Sequence, residues 1–240
     1  RAALLGGAAA VAGVAARPAE ASLFGGKQQE LQAAFTEAFE LAQKGDVTAA
    51  EAAWTRAIAI DESNAAGWSN RGVLRLQVGD YSGAASDLEK SAELERKAFS
   101  YASGFTLCAL GNARGAAGDW DGAIDAYEEA ELDDYSGVAQ LARAYTALAQ
   151  YELGFPELAT KSARDAIADP ETPPEAASDM RAALAGFLFA AGDADAADEV
   201  AAPLGGKATI AAAAEGYKQA RAGGWAPKAA AAVADYAASP

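Results

Sequence analysis

One short phrase, repeated along the chain, restricts the fold more than any other feature. Gly45-Asp46-Val47, Gly79-Asp80-Tyr81, Gly118-Asp119-Trp120 and Gly192-Asp193-Ala194 carry it, and Gly154-Phe155-Pro156 is a weaker copy. The intervals are 34, 39, 36 and 38 residues. Periods of this length mark stacked supersecondary units, each unable to bury its apolar face alone. Each phrase lies between two segments of helical period. Glycine suits the left-handed residue that ends one helix, and aspartate suits the cap of the next.

The second helix of each copy has its own spacing. Five residues after each glycine stands an alanine: Ala50, Ala84, Ala123, Ala159 and Ala197. Four residues later come Trp54, Leu88, Tyr127, Ala163 and Ala201, and three further on Ala57, Ser91, Ala130 and Ala166. Small residues let helix backbones approach, and a large one between them fills the gap. The composition agrees. Alanine, the best helix former, dominates, while Val, Ile and Thr are scarce. A hydrophobic fraction of 52% over 240 residues is enough for a sizeable core.

On these residues the chain resembles the tetratricopeptide repeat (TPR) family, whose pattern is W-x2-L-G-x2-Y, then A-x3-F, then P. Trp68 and Gly72 match in the second copy, with Arg71 and Arg75 in place of Leu and Tyr. Ala50 and Trp54 match in the first copy, Leu107, Leu110, Gly111, Ala123 and Tyr127 in the third, and Pro170 in the fourth. The resemblance implies an all-α, right-handed α-solenoid of about five to six helix pairs, covering about Gln28 to Leu204. Alanine replaces aromatics in the fourth and fifth copies, so thinner packing is expected there. Residues 205–240 read as a degenerate repeat or capping helices: Ala211 to Ala222, a stop at Gly223-Gly224, then Pro227 to Ala238.

In this family the first helices of the pairs line a concave face that contacts partners. Carried over, the candidate protein-binding residues are Phe35 and Phe39, Asn70 and Val73, Phe105, Cys108 and Asn112, and Leu148 with Tyr151. Taken singly, Phe35, Phe39 and Phe105 read first as core aromatics packed between helices, since core is where most aromatics go. The basic clamp by which one TPR subfamily holds acidic chaperone tails is missing, with only Asn70 matching, so that client class is rejected. An apolar segment with basic flanks suits the remaining face.

Chemistry is restricted by absence. There is no histidine and one cysteine. That excludes a triad, a Cys-His pair, a His-ligated zinc site and an internal disulfide. No cofactor is expected, and the chain reads as a non-enzyme. A carboxylate-dependent hydrolase using Glu128 or Asp133 is the remote alternative. The acidic run Glu128 to Asp134 lacks the glycine and spacing of a calcium loop and reads as a solvated helix end. Cys108, between Leu107 and Leu110, reads as a small buried hydrophobe. A net charge of −15 makes nucleic acid and anionic membrane poor partners.

Residues 1–21 read as a targeting segment. Arg1 precedes an uncharged stretch from Ala2 to Ala16, and Ala19-Glu20-Ala21 resembles a cleavage site before Ser22. Its mild hydrophobicity resembles a twin-arginine signal, of the kind that leads to the thylakoid lumen or a bacterial periplasm. An ordinary Ala-rich helix or tail is the other reading. The expected organisation is therefore a cleaved signal at 1–21, a solenoid at 22–204 and a C-terminal element at 205–240. The expected function is a protein-binding scaffold or assembly factor of a photosynthetic membrane complex such as a photosystem. A periplasmic envelope scaffold is the alternative.

Overall fold

A computed structural model describes residues 24–133, 137–211 and 226–240. The expectations for residues 1–21 and for a helix from Ala211 to Ala222 fall largely outside the described residues. Those described form helices and connecting turns, divided between two compact units, 24–102 and 103–240.

The first unit holds α1 (Phe24–Gln43), α2 (Val47–Ile60), α3 (Ala65–Val78) and α4 (Tyr81–Phe99). The second holds α5 (Gly104–Ala116), α6 (Trp120–Ala130), α7 (Val138–Glu152), α8 (Pro156–Ala168), α9 (Pro174–Ala190), α10 (Ala194–Ala201) and α11 (Pro227–Ala238), with a 3-10 turn at Ala202–Leu204. The helices pack as pairs: α1 with α2, α3 with α4, α5 with α6, α7 with α8 and α9 with α10. Each pair is one copy of the repeat.

The repeated phrase makes the turn within each pair. Gly45, Gly79, Gly118, Gly154 and Gly192 all have φ between 76° and 91°, a region closed to residues with a Cβ except at a cost. At each glycine two backbone bonds close the helix end. Gly118 N–H donates to Gly115 at 2.9 Å and Asp119 N–H to Arg114 at 2.9 Å, and the other four turns follow the same register. The aspartate side chain then accepts from the third residue of the next helix. Asp46 takes Ala49 N–H, Asp80 takes Gly83, Asp119 takes Gly122 and Asp193 takes Ala196. Such a cap is worth about 1 kcal/mol. The fourth copy replaces the aspartate with Phe155 and opens α8 on Pro156, whose missing N–H leaves no donor to satisfy there.

Between the helices of a pair the spacing read from the sequence holds. Ala50, Ala84, Ala123, Ala159 and Ala197 have no exposed surface, and Trp54, Leu88, Tyr127, Ala163 and Ala201 are buried. Opposite them stands the residue seven before each turn glycine: Ala38, Gly72, Gly111, Ala147 and Ala185. The two glycines pair with large residues. A Cβ at Gly72 would lie 2.7 Å from Leu88 Cγ, and one at Gly111 would lie 2.2 Å from Tyr127 Cε1. The fourth and fifth copies carry alanine on both helices, and their volume is made up elsewhere. Met180, Leu184 and Phe187 of α9 and Val233 and Tyr236 of α11 are buried there.

Candidate protein-binding surfaces

In the first unit Phe35 and Phe39 project one turn apart from α1 onto the buried Trp54 of α2. Both rings meet the indole edge-on, at 5.0 Å and 88° for Phe35 and 4.8 Å and 89° for Phe39. Such geometry adds about 0.5–1.5 kcal/mol per pair beyond burial. The sequence left these rings open between core and surface, and the structure divides the roles. Phe35 packs partly buried against the core, while Phe39 keeps 41% of its surface exposed. Val73 and Asn70 on α3 are half-buried, and Asn70 donates back to the Ala66 carbonyl at 2.7 Å.

Below α3 lies an ionic cluster that the sequence did not reveal. Arg71 and Arg75, the departures from the TPR pattern, both reach Asp87 of α4, which is 2% exposed. Arg71 holds it with two bonds of 2.8 Å, and Arg75 adds a third of 2.9 Å. Arg75 also reaches Glu51 of α2 at 2.7 Å, Arg71 donates to Thr55 at 3.0 Å, and the Arg71 guanidinium lies over Trp68. Burial lowers the basicity of Arg75, but the hydrogen bond to Glu51 and the fields of Asp87, Glu51 and Asp80 more than reverse this. The positions that should carry Leu and Tyr thus bind α2, α3 and α4 by charge. The available signal was an aspartate sixteen residues beyond Arg71, at a second-helix position.

In the second unit Phe105 is 41% exposed at the start of α5. Cys108 and Asn112, on the same helix, are buried. Burial, then the nearby Asp133 and Glu131, push the Cys108 thiol up to about 12, so at neutral pH it is a hydrophobe and not a nucleophile. Asn112 accepts the Tyr127 hydroxyl at 2.8 Å, and Tyr127 packs on Tyr145 of α7 at 5.4 Å. Leu148 of α7 is buried, and Tyr151 stacks flat on Phe187 of α9 at 4.0 Å. Phe105 is thus the exposed residue of this set, and the others are buried or stacked.

Two carboxylates of the acidic run, Asp133 and Glu131, hold structure together. Asp133 accepts the Gly104 N–H at 2.6 Å and so caps α5, whose own Ser103 makes no side-chain cap. Glu131 pairs with Arg143 of α7 at 3.4 Å, and Arg143 also holds Asp169 at 2.8 Å. No group of ligands fit for a metal ion occurs among the described residues. Nor does any described helix have the length and apolarity to cross a membrane.

α11 reaches back 76 residues. The Glu152 carboxylate at the end of α7 accepts the N–H groups of Lys228 and Ala229, and the Lys228 ammonium donates to the Glu152 carbonyl. A carboxylate at the positive end of a helix is favourably placed.

Helix pairs joined by a glycine turn and packed in series within each unit define the class: a TPR-like α-solenoid. Among solved structures, MamA aligns with a TM-score of 0.61 at 17% identity, covering 72% of this chain and 88% of MamA. PilF of Pseudomonas aeruginosa aligns with a TM-score of 0.60 at 15% identity, covering 88% and 90%. YrrB, described as a TPR protein with an unusual peptide-binding site, aligns with a TM-score of 0.53 at 16% identity, covering 68% and 78%. No protein-family model and no curated protein sequence matches the chain.

Proposed function

We propose that this chain is a non-enzymatic scaffold that holds other proteins, working in the thylakoid lumen on a photosynthetic membrane complex such as a photosystem. The observation that carries the binding reading is Phe39, a large ring packed edge-on against Trp54 with 41% of its surface exposed. An anchored aromatic of this kind contributes binding area at little entropic cost. Phe105, also 41% exposed, offers an apolar surface in the second unit. The net charge of −15 favours a partner segment with basic flanks around apolar anchors. The peptide-binding site in the description of YrrB is consistent with that use of the fold. The lumenal address rests on the layout of residues 1–21, and the choice of a photosystem on the small extrinsic subunits and lumenal loops such complexes present.

The test is crosslinking in native thylakoids followed by mild detergent and fractionation. The protein is expected with photosystem subunits, and Phe39→Ala with Phe105→Ala is expected to weaken that association at least about tenfold. Crosslinks to envelope proteins of a bacterial periplasm would replace the lumenal reading. Free, uncrosslinked protein in every fraction would end both.

A further inference from the structure

Helices that open a copy obey one rule within each unit. α3 packs on α2, α7 on α6 and α9 on α8, each against the second helix of the preceding copy. α11 instead packs on α9 and α7, the first helices of the last two copies, and does not open a copy itself. The face it covers is marked by the residue six before each turn glycine. In the first unit that residue is Phe39, exposed, and Val73, half-buried. In the fifth copy it is Gly186, and a Cβ there would lie 2.7 Å from Val233 N and 2.8 Å from the Ala232 carbonyl carbon. The α11 backbone therefore rests directly on α9.

Small residues make that approach feasible, as they do wherever helices cross closely. Ala229, Ala230, Ala232 and Val233 of α11 are buried. Polar contacts fix both ends. Glu152, four residues beyond Leu148 and so on the same face of α7, caps the α11 N-terminus. Near the C-terminus the Tyr236 hydroxyl donates to Asp198 at 2.9 Å, and its ring meets Phe189 of α9 at 5.8 Å.

We propose that this face of α7 and α9 is a helix-binding site, that residues 226–240 are its resident occupant, and that a partner helix of like character displaces them. The site takes a helix with a stripe of small apolar residues. It also takes a lysine and free N–H groups in the first turn, for Glu152. This deepens the protein-binding reading and rests on it only for the competitor.

The test uses the full chain with Val233→Asp, which places a charge on the α11 side of the contact and leaves the receiving face intact. Amides of residues 228–238 are expected to exchange about 100-fold faster while α7 and α9 keep their protection. A labelled peptide of residues 226–240 is expected to bind this variant at least about tenfold more tightly than the wild type. Gly186→Leu reads the contact from the other side. It releases α11 too, but fills the site, so the peptide is refused. Loss of protection throughout α7 and α9 in both variants would make α11 part of that core and overturn the proposal. Unchanged exchange in α11 would also overturn it, as would a released α11 with no peptide uptake by Val233→Asp. A scaffold that captured no native partner, yet showed this peptide behaviour, would fail the proposed function and leave the site standing.

Discussion

Asp87 takes two positive charges where the repeat pattern calls for apolar side chains. It is 2% exposed and receives three hydrogen bonds from Arg71 and Arg75. Removing one partner from a buried ionic cluster leaves the others desolvated and unpaired, which costs about 3–5 kcal/mol. Asp87→Ala is therefore expected to lower stability by about that much. Asp119→Ala, which removes an exposed cap bond to Gly122, is expected to cost only about 1 kcal/mol. Chemical denaturation of the two variants checks this, and equal losses would mean that the Arg71–Asp87–Arg75 cluster adds nothing beyond an ordinary cap. Tyr127 and Gly111 make a second point at this scale. The ring is held by Asn112 at 2.8 Å and lies where a Cβ of residue 111 would fall, so glycine is required there for space and not for φ.

At the scale of the element, the turns were legible because five copies agree on glycine and alanine and four on aspartate. Glycine, aspartate and the alanine five residues on each do a job that a single copy could not have established. The ionic cluster was not legible, since Arg71 and Asp87 meet only when α3 and α4 are side by side. The place of α11 was not legible either. An alanine-rich helix has little periodic signal, and nothing local says which face of which helix it covers. Gly186 was the one trace, a glycine where the other copies carry Phe39, Val73, Asn112 and Leu148. The candidate groove set was read from position alone. Position put Phe39 and Phe105 on the candidate face without deciding between core and surface, and it could not tell that Asn112 is tied to Tyr127 or that Tyr151 is stacked on Phe187. The α7–α11 junction has a pH signature. Burial raises the Glu152 carboxyl above its usual range, against the N–H groups of Ala229 and Lys228 and the charge of Lys228, which favour the ion. The folded chain therefore takes up this proton more readily than the unfolded one. The contribution of this carboxyl is complete below the unfolded value near 4.5 and is lost as pH rises from there through the folded value. Thermal stability is thus expected to rise as pH falls toward that window, with a shallower slope in Glu152→Gln. Parallel slopes in the two proteins would assign the effect to other carboxylates.

For the whole molecule the dominant quantity is charge. A net −15 on 240 residues acts beyond contact distance, and Arg71, Arg75 and Arg143 are committed to internal ion pairs. Such a field attracts a basic segment before any side chain touches it, so it governs the rate of encounter. The exposed rings act later. Phe39 and Phe105 take effect once water is excluded, so they govern how long the complex lasts. The two contributions separate by salt. Raising ionic strength from about 0.01 M to about 0.15 M shortens the screening length from about 30 Å to about 8 Å. Association with a basic-flanked partner is expected to slow about tenfold or more over that range, while dissociation changes little. Phe39→Ala is expected to do the reverse, speeding dissociation and leaving the salt slope of association unchanged. Stopped-flow or surface-based kinetics on the two proteins gives both rates. A salt-independent association rate would show that the acidity serves solubility and that partners are recognised by the apolar anchors alone.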